Sequence, residues 1–190
     1  MGFRSVFGSA ALLLCASACG ESRPPWAEGA MIRTERPPGA EPQDLTRLPE
    51  RLLALHNRER AGAGAAPLQW DPRLAAAAAA YGPSLERRGR LAHSPPETRP
   101  GQGENLWMGT SGAYDLEEMV GSWAAEKALF RPGLFPDVST SGHGGDVAHY
   151  TQMVWRTTQR VGCALHPARQ WDFLICRYAP PGNVVGQRMD

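Results

Sequence analysis

Residues 149–165, HYTQMVWRTTQRVGCAL, place His149 ahead of a polar triplet, an apolar run ending in Trp155, and Cys163. A neutral imidazole is the commonest ligand for divalent transition metals and the side chain best suited to move a proton near neutral pH. His149 is therefore a candidate metal ligand or general base, weighed against simple packing in a core. The chain has 5 histidines. His56, in LHNRER, falls on the apolar stripe of a helical segment and reads as a packed or capping residue. His143, in the glycine-rich STSGHGGD, reads as a solvated loop residue, and that loop lacks the Gly-Lys-Ser/Thr ending of a phosphate cradle. No H-E-x-x-H and no G-x-S-x-G occurs. Ser94 adjoins His93, a spacing at which side chains diverge, so the hydrolase signatures are missing.

The cysteines carry the second chemistry. The N-terminus, MGFRSVFGSAALLLCASACGES, has a basic Arg4, an apolar centre from Val6 to Leu14 and the small residues ASA at 16–18. It reads as a secretory signal over residues 1–18, too short to cross a bilayer core of about 30 Å. The mature chain would begin at Cys19, which resembles the lipidated cysteine of a bacterial lipobox, with Ala16 where leucine is usual. Lipidation of Cys19 and simple secretion both remain open. Either makes the protein extracytoplasmic, secreted or lipid-anchored to a bacterial envelope membrane. Of 4 cysteines, Cys15 leaves with the signal, and Cys163 with Cys176 then reads as a disulfide.

The pattern around those cysteines specifies their register. Val161, Cys163 and Leu165 alternate on one strand, and Leu174, Cys176 and Tyr178 alternate on the next. If the strands are antiparallel with Cys163 opposite Cys176, then Leu165 faces Leu174 and Val161 faces Tyr178. All six share one apolar face. Such a bridge contributes roughly 3 kcal/mol by loop closure.

The remaining elements must position these groups. Residues 19–48 contain Pro24, Pro25, Pro37, Pro38 and Pro42 with no apolar periodicity, and read as a Pro-rich tether. The folded domain spans 49–190. Its first helix carries Leu52, Leu55, His56 and Glu59 at helical spacing. The second opens with Asp71 as N-cap and Pro72 at the first helical position, and lines up Leu74, Ala78, Tyr81 and Leu85; Gly82-Pro83 is expected to kink or break it. A third spans 115–130 with Leu116, Met119, Val120 and Trp123 inward, and Glu126 near that face needs a partner. AHYTQMVWRTT reads as a short fourth helix. The composition excludes one class of partner: 20 Lys plus Arg against 19 Asp plus Glu leaves a formal charge of +1, giving no broad attraction for nucleic acid.

In order along the chain, LHNRERAGAGAAPLQWDPRLAAAA, LAHS, GENLW, SWAAEKALF, HYTQMVWRTTQRVGCAL and FLICRYAPPGN resemble the CAP superfamily, that is, cysteine-rich secretory proteins, antigen 5 and pathogenesis-related 1 proteins, also called the SCP domain. The resemblance implies an α/β fold, a three-layer α-β-α sandwich with a small, mostly antiparallel sheet between helices. It also implies a cleft lined by His93, Glu104, Glu126 and His149. Two neutral imidazoles, His93 and His149, could then bind zinc or another divalent cation, with the carboxylates holding its water or fixing the imidazole tautomers. The implied function is an exported, monomeric binding or interaction module, with a lipid or sterol-like small hydrophobic ligand as a candidate partner. Trp107, Met108 and ALFRPGLF are the apolar residues near the cleft that could meet such a ligand. The alternative is a metal-dependent or serine-type hydrolase or peptidase using the same cleft, with Glu104 or Glu126 as base or Ser94 as nucleophile. Membrane contact is expected only through the lipid anchor.

Overall fold

Asp71, the residue before Pro72, caps a helix as its type predicts: in the structure, a computed structural model describing residues 45–190 and the backbone of the strand Ala30–Met31, its carboxylate accepts from the amides of Arg73 at 2.8 Å and Leu74 at 3.3 Å. The signal segment, Cys19 and most of the tether lie outside the described residues. The elements in chain order are β1 (Ala30–Met31), α1 (Leu48–Gly62), β2 (Gln69–Trp70), α2 (Pro72–Arg88), β3 (Gly103–Thr110), α3 (Leu116–Ala125), β4 (Gly133–Leu134), α4 (Ala148–Val154), β5 (Arg160–Pro167), β6 (Trp171–Ala179) and β7 (Arg188–Met189). The five-stranded sheet has the order β1-β3-β6-β5-β2. Its three long strands are antiparallel, and the two-residue edges β1 and β2 pair parallel. β1 falls inside the segment read as tether.

The hairpin has the register that its hydrophobic pattern requires. Cys163 lies opposite Cys176, Val161 opposite Tyr178 and Leu165 opposite Leu174, and the cysteines are joined. That face packs beneath α1, α3 and α4 with Leu52, Leu55, Met119, Val120, Trp123, Met153, Val154 and Trp155. Leu106 and Met108 of β3 and Phe173 and Ile175 of β6 meet Ala78, Tyr81 and Leu85 of α2 on the opposite face of the sheet. The result is the expected α-β-α sandwich.

Three local expectations are corrected. Gly82-Pro83 does not break α2, which runs through Pro83 to Arg88. Proline disfavours helix at the preceding residue partly through that residue's Cβ, and Gly82 has none. The same absence lets β5 approach, since a Cβ on Gly82 would lie 2.5 Å from the His166 ring. The helix expected over 115–130 stops at Ala125 and tightens into a 3₁₀ turn over Glu126–Leu129. Trp107 and Met108 do not line a cleft: Trp107 packs edge-on against Tyr114 in the larger core, and Met108 lies under α2.

His56 is a core residue, as its place on α1 suggested. Its Nδ1 donates to the Leu52 carbonyl at 2.7 Å, so the neutral ring's Nε2 accepts the Tyr178 hydroxyl at 2.8 Å. Burial lowers its pKa from 6.5 to about 4; the Leu52 bond opposes this shift and the charge of Arg60 adds to it. As pH falls through 6.5 toward 4, the unfolded chain takes up a proton at His56 and the folded chain does not, so stability is present above pH 6.5 and drains away below it. The total is about 3 kcal/mol. Urea unfolding at pH 7 and pH 4 should show His56→Gln losing about 3 kcal/mol less than wild type over this interval. Equal losses in the two proteins would contradict the assignment.

Candidate functional site

Glu104 sits near the start of β3, in register with Arg177 of β6, and its side chain is wholly buried. Its Oε1 accepts His93 Nδ1 at 2.7 Å and the Ser94 amide at 3.0 Å. Its Oε2 accepts the Ser94 hydroxyl at 3.1 Å and pairs with Arg177 Nη2 at 3.1 Å. Burial alone would raise the Glu104 carboxyl. The His93 hydrogen bond, the Arg177 charge and the Ser94 amide outweigh it and hold the group below its ordinary range. Glu104 is thus a carboxylate that only accepts, and the Nδ1 of His93 carries the proton.

The second pair joins two helices. Glu126 Oε1 accepts His149 Nδ1 at 2.6 Å, while its Oε2 accepts the backbone amides of His149 at 2.9 Å and Tyr150 at 3.0 Å. No side chain of α4's own N-terminal segment caps that helix. Glu126 supplies the cap from the end of α3. The Trp123 ring stacks on His149 with centroids 5.8 Å apart and planes 12° from parallel. Replacing Glu126 with alanine should lower stability by about 1–2 kcal/mol through the lost cap. Urea unfolding measures it, and an unchanged midpoint would show that water serves the α4 amides equally well.

Asn105 ties the pairs together. Glu104 and Asn105 are consecutive on β3 and point to opposite faces of the sheet. Glu104 thus reaches His93, and the Asn105 amide donates to the His149 carbonyl at 3.0 Å. All four expected residues are therefore placed, as two His–Glu pairs. Both imidazoles have Nδ1 committed to a carboxylate, and neither Nε2 meets a partner among the described residues. Each Nε2 is then the ring's lone-pair nitrogen, the atom a metal takes. The carboxylate oxygens are engaged by imidazole and amides, so each pair by itself offers one imidazole nitrogen supported by a carboxylate. Among the described residues, the three-residue cluster of metal-type side chains is elsewhere, at His56, Cys163 and Cys176. It offers no site, since the sulfurs are bonded to each other and both His56 nitrogens are used.

Ser94 is 1 % exposed, and its hydroxyl donates to Glu104 at 3.1 Å. His143 lies exposed in its loop. Sequence reasoning missed Asn105 and Arg177. The signal for Arg177 was present: a lone charge between Cys176 and Tyr178, on a strand buried on both faces, requires a partner.

Residues 53–178 match the family model CAP, described as the cysteine-rich secretory protein family. A pathogenesis-related protein of PR-1 type from Sambucus nigra is 36% identical over 142 residues, which cover 74% of this chain and 80% of that protein. Pathogenesis-related protein 1C of Nicotiana tabacum is 38% identical over 137 residues, covering 71% and 76%. Among solved structures, NaASP2 with Zn2+ superposes with a TM-score of 0.61 at 24% identity, covering 80% of this chain and 87% of that one. Venom allergen-like protein 4 of Schistosoma mansoni gives 0.55 at 20% identity, covering 77% and 97%. These structural likenesses show the fold.

Proposed function

The chain belongs to the cysteine-rich secretory protein (CAP) family, and from that premise we propose that it is an exported binding module whose His93 and His149 hold one divalent transition ion, zinc first. The observation that carries this reading is the paired hydrogen bonding of both imidazoles: each gives Nδ1–H to a glutamate and keeps Nε2 for a ligand. Support comes from the neighbour solved as NaASP2 with Zn2+. When bound, such an ion would supply a Lewis-acidic centre with open positions for a ligand's oxygen or nitrogen. The chain's own contribution is to fix the two rings: Glu104 and Glu126 hold their tautomers, Trp123 holds the plane of His149, and Asn105 holds the α4 backbone. Export is supported by the disulfide and by the N-terminal signal pattern. No helix among the described residues is long and apolar enough to cross a membrane.

A small hydrophobic ligand is the second reading, favoured by one cavity. It measures about 150 Å³ and is lined by Ala63, Phe130, Tyr150, Val154, Trp155 and Met189, with Arg156 and Arg188 at its edge. This is below the range of about 300–1,000 Å³ usual for small-molecule sites, which suits a short acyl segment better than a sterol. Calorimetry with zinc chloride, run beside a lipid-extraction assay and a peptidase panel, tests both readings. One zinc per chain without turnover is expected. Zinc-dependent peptide hydrolysis abolished by His149→Ala would replace the binding reading with the hydrolase one.

A further inference from the structure

The two carboxylate oxygens of Glu104 have separate tasks. Oε2 pairs with Arg177 Nη2 and accepts the Ser94 hydroxyl, each at 3.1 Å, while Oε1 accepts His93 Nδ1 at 2.7 Å and the Ser94 amide at 3.0 Å. A carboxylate with a guanidinium beside one oxygen cannot rotate without giving up that ion pair. Arg177 is itself fixed: it is 3 % exposed, directly across the β3–β6 ladder from Glu104, with its guanidinium carbon 5.7 Å from the centroid of the Tyr81 ring. Among the described residues its Nε and Nη1 meet no hydrogen-bond partner, so Glu104 is the group that the guanidinium serves. A buried ion pair is a poor way to fill space, because an apolar residue of similar volume is often as stable or more so. The other pair is built without a guanidinium: the Oε2 of Glu126 is fixed by two backbone amides.

We propose that Arg177 is the positioning residue for the His93 arm of the cleft: by fixing the orientation of Glu104 it sets His93 as the Nδ1–H tautomer and presents Nε2 as the ligand atom. The consequence for metal rests on the zinc-binding reading above; the tautomer claim does not. His149, held by Glu126, is independent of Arg177 and serves as an internal control.

The test is a long-range proton–nitrogen NMR correlation of the imidazole rings, recorded on the metal-free full-length protein, followed by calorimetry with zinc chloride. In wild type both His93 and His149 are expected as Nδ1–H. In Arg177→Met, His93 should become a tautomer mixture or Nε2–H while His149 is unchanged, and zinc affinity should fall by about tenfold. Arg177→Lys, which restores one charged donor, should recover much of the His93 signature. Should the methionine variant not fold, Arg177→Gln, with a shorter uncharged head, carries the same expectation. A folded Met or Gln variant that keeps His93 as Nδ1–H with wild-type zinc affinity overturns the proposal. Wild-type protein that takes no zinc sinks the metal reading alone, and the ring correlations still decide the role of Arg177.

Discussion

Replacing Arg60 with methionine should lower the unfolding free energy by about 4 kcal/mol or more, enough to unfold much of the population of an ordinary domain on warming. Arg60 is 0 % exposed in the last turn of α1. Its Nε donates to the Ala66 carbonyl at 2.6 Å, Nη1 to those of Met153 at 3.0 Å and Trp155 at 2.9 Å, and Nη2 to that of Thr158 at 3.0 Å. Apart from Ala66 in the loop after α1, those acceptors are the end of α4 and the turn into β5, where helix carbonyls have no intrahelical partner. One guanidinium therefore joins α1, the loop after it, α4 and the start of the hairpin. Methionine keeps much of the stem's volume and removes every donor, taking a partner from four carbonyls, of which that of Trp155 keeps the Thr158 amide at 3.1 Å. Lysine should recover only part of the loss, since one ammonium cannot reproduce the planar fork. Urea unfolding gives the number. A methionine variant within about 1 kcal/mol of wild type would mean that these carbonyls are served by water instead. Because α4 also carries His149, zinc affinity should decline alongside stability.

Arg60 also shows where sequence reading stops. Helical periodicity identified Leu52, Leu55 and His56 as inward residues, and all three are buried. It assigned Glu59 to the same stripe, whereas the neighbouring arginine is the one fully enclosed. Periodicity sorts residues by polarity, so it cannot recognise a charge solvated by backbone carbonyls that come from residues 66 to 158. The hairpin was legible for the opposite reason. Alternation with a period of two, plus a pair of cysteines, admits one register, and a slip by one residue would turn every apolar side chain outward. The second helix was legible from Asp71, Pro72 and its apolar stripe. Its continuation through Pro83 was not, because that depends on Gly82 lacking a Cβ and on His166 lying against it.

The site itself was legible only as an ordered set of family segments. His93 and Glu104 are 11 residues apart, and Glu126 and His149 are 23 apart, intervals that follow no helical or strand period. What the sequence could not show was the division of labour within each pair: Glu126 caps α4 as well as holding His149, and Glu104 depends on a cation three strands later in the chain. Both facts are tertiary, arising where β3 meets β6 and where the end of α3 meets α4. The shift of Glu104 below its ordinary range has the same origin. The stability it adds is present above its ordinary value of 4.5 and is lost as pH falls below that, beginning within the lower end of the window in which His56 acts.

Calorimetric titration of zinc chloride into the wild-type protein and the His93→Ala, His149→Ala double variant decides whether the paired imidazoles are a metal site. Wild type should bind one ion per chain. The double variant should bind it more weakly by over about 100-fold, beyond the loss expected from removing a supporting partner alone, because both ligand nitrogens are gone. His143→Ala should keep wild-type affinity, since that residue lies exposed in its loop. The urea midpoint of the double variant should move little, as Glu126 keeps its two amide contacts to α4 and Glu104 keeps Arg177 and Ser94. Equal zinc affinity in wild type and the double variant would contradict the metal site and leave the two pairs as hydrogen-bonded structure holding β3, α3 and α4 together.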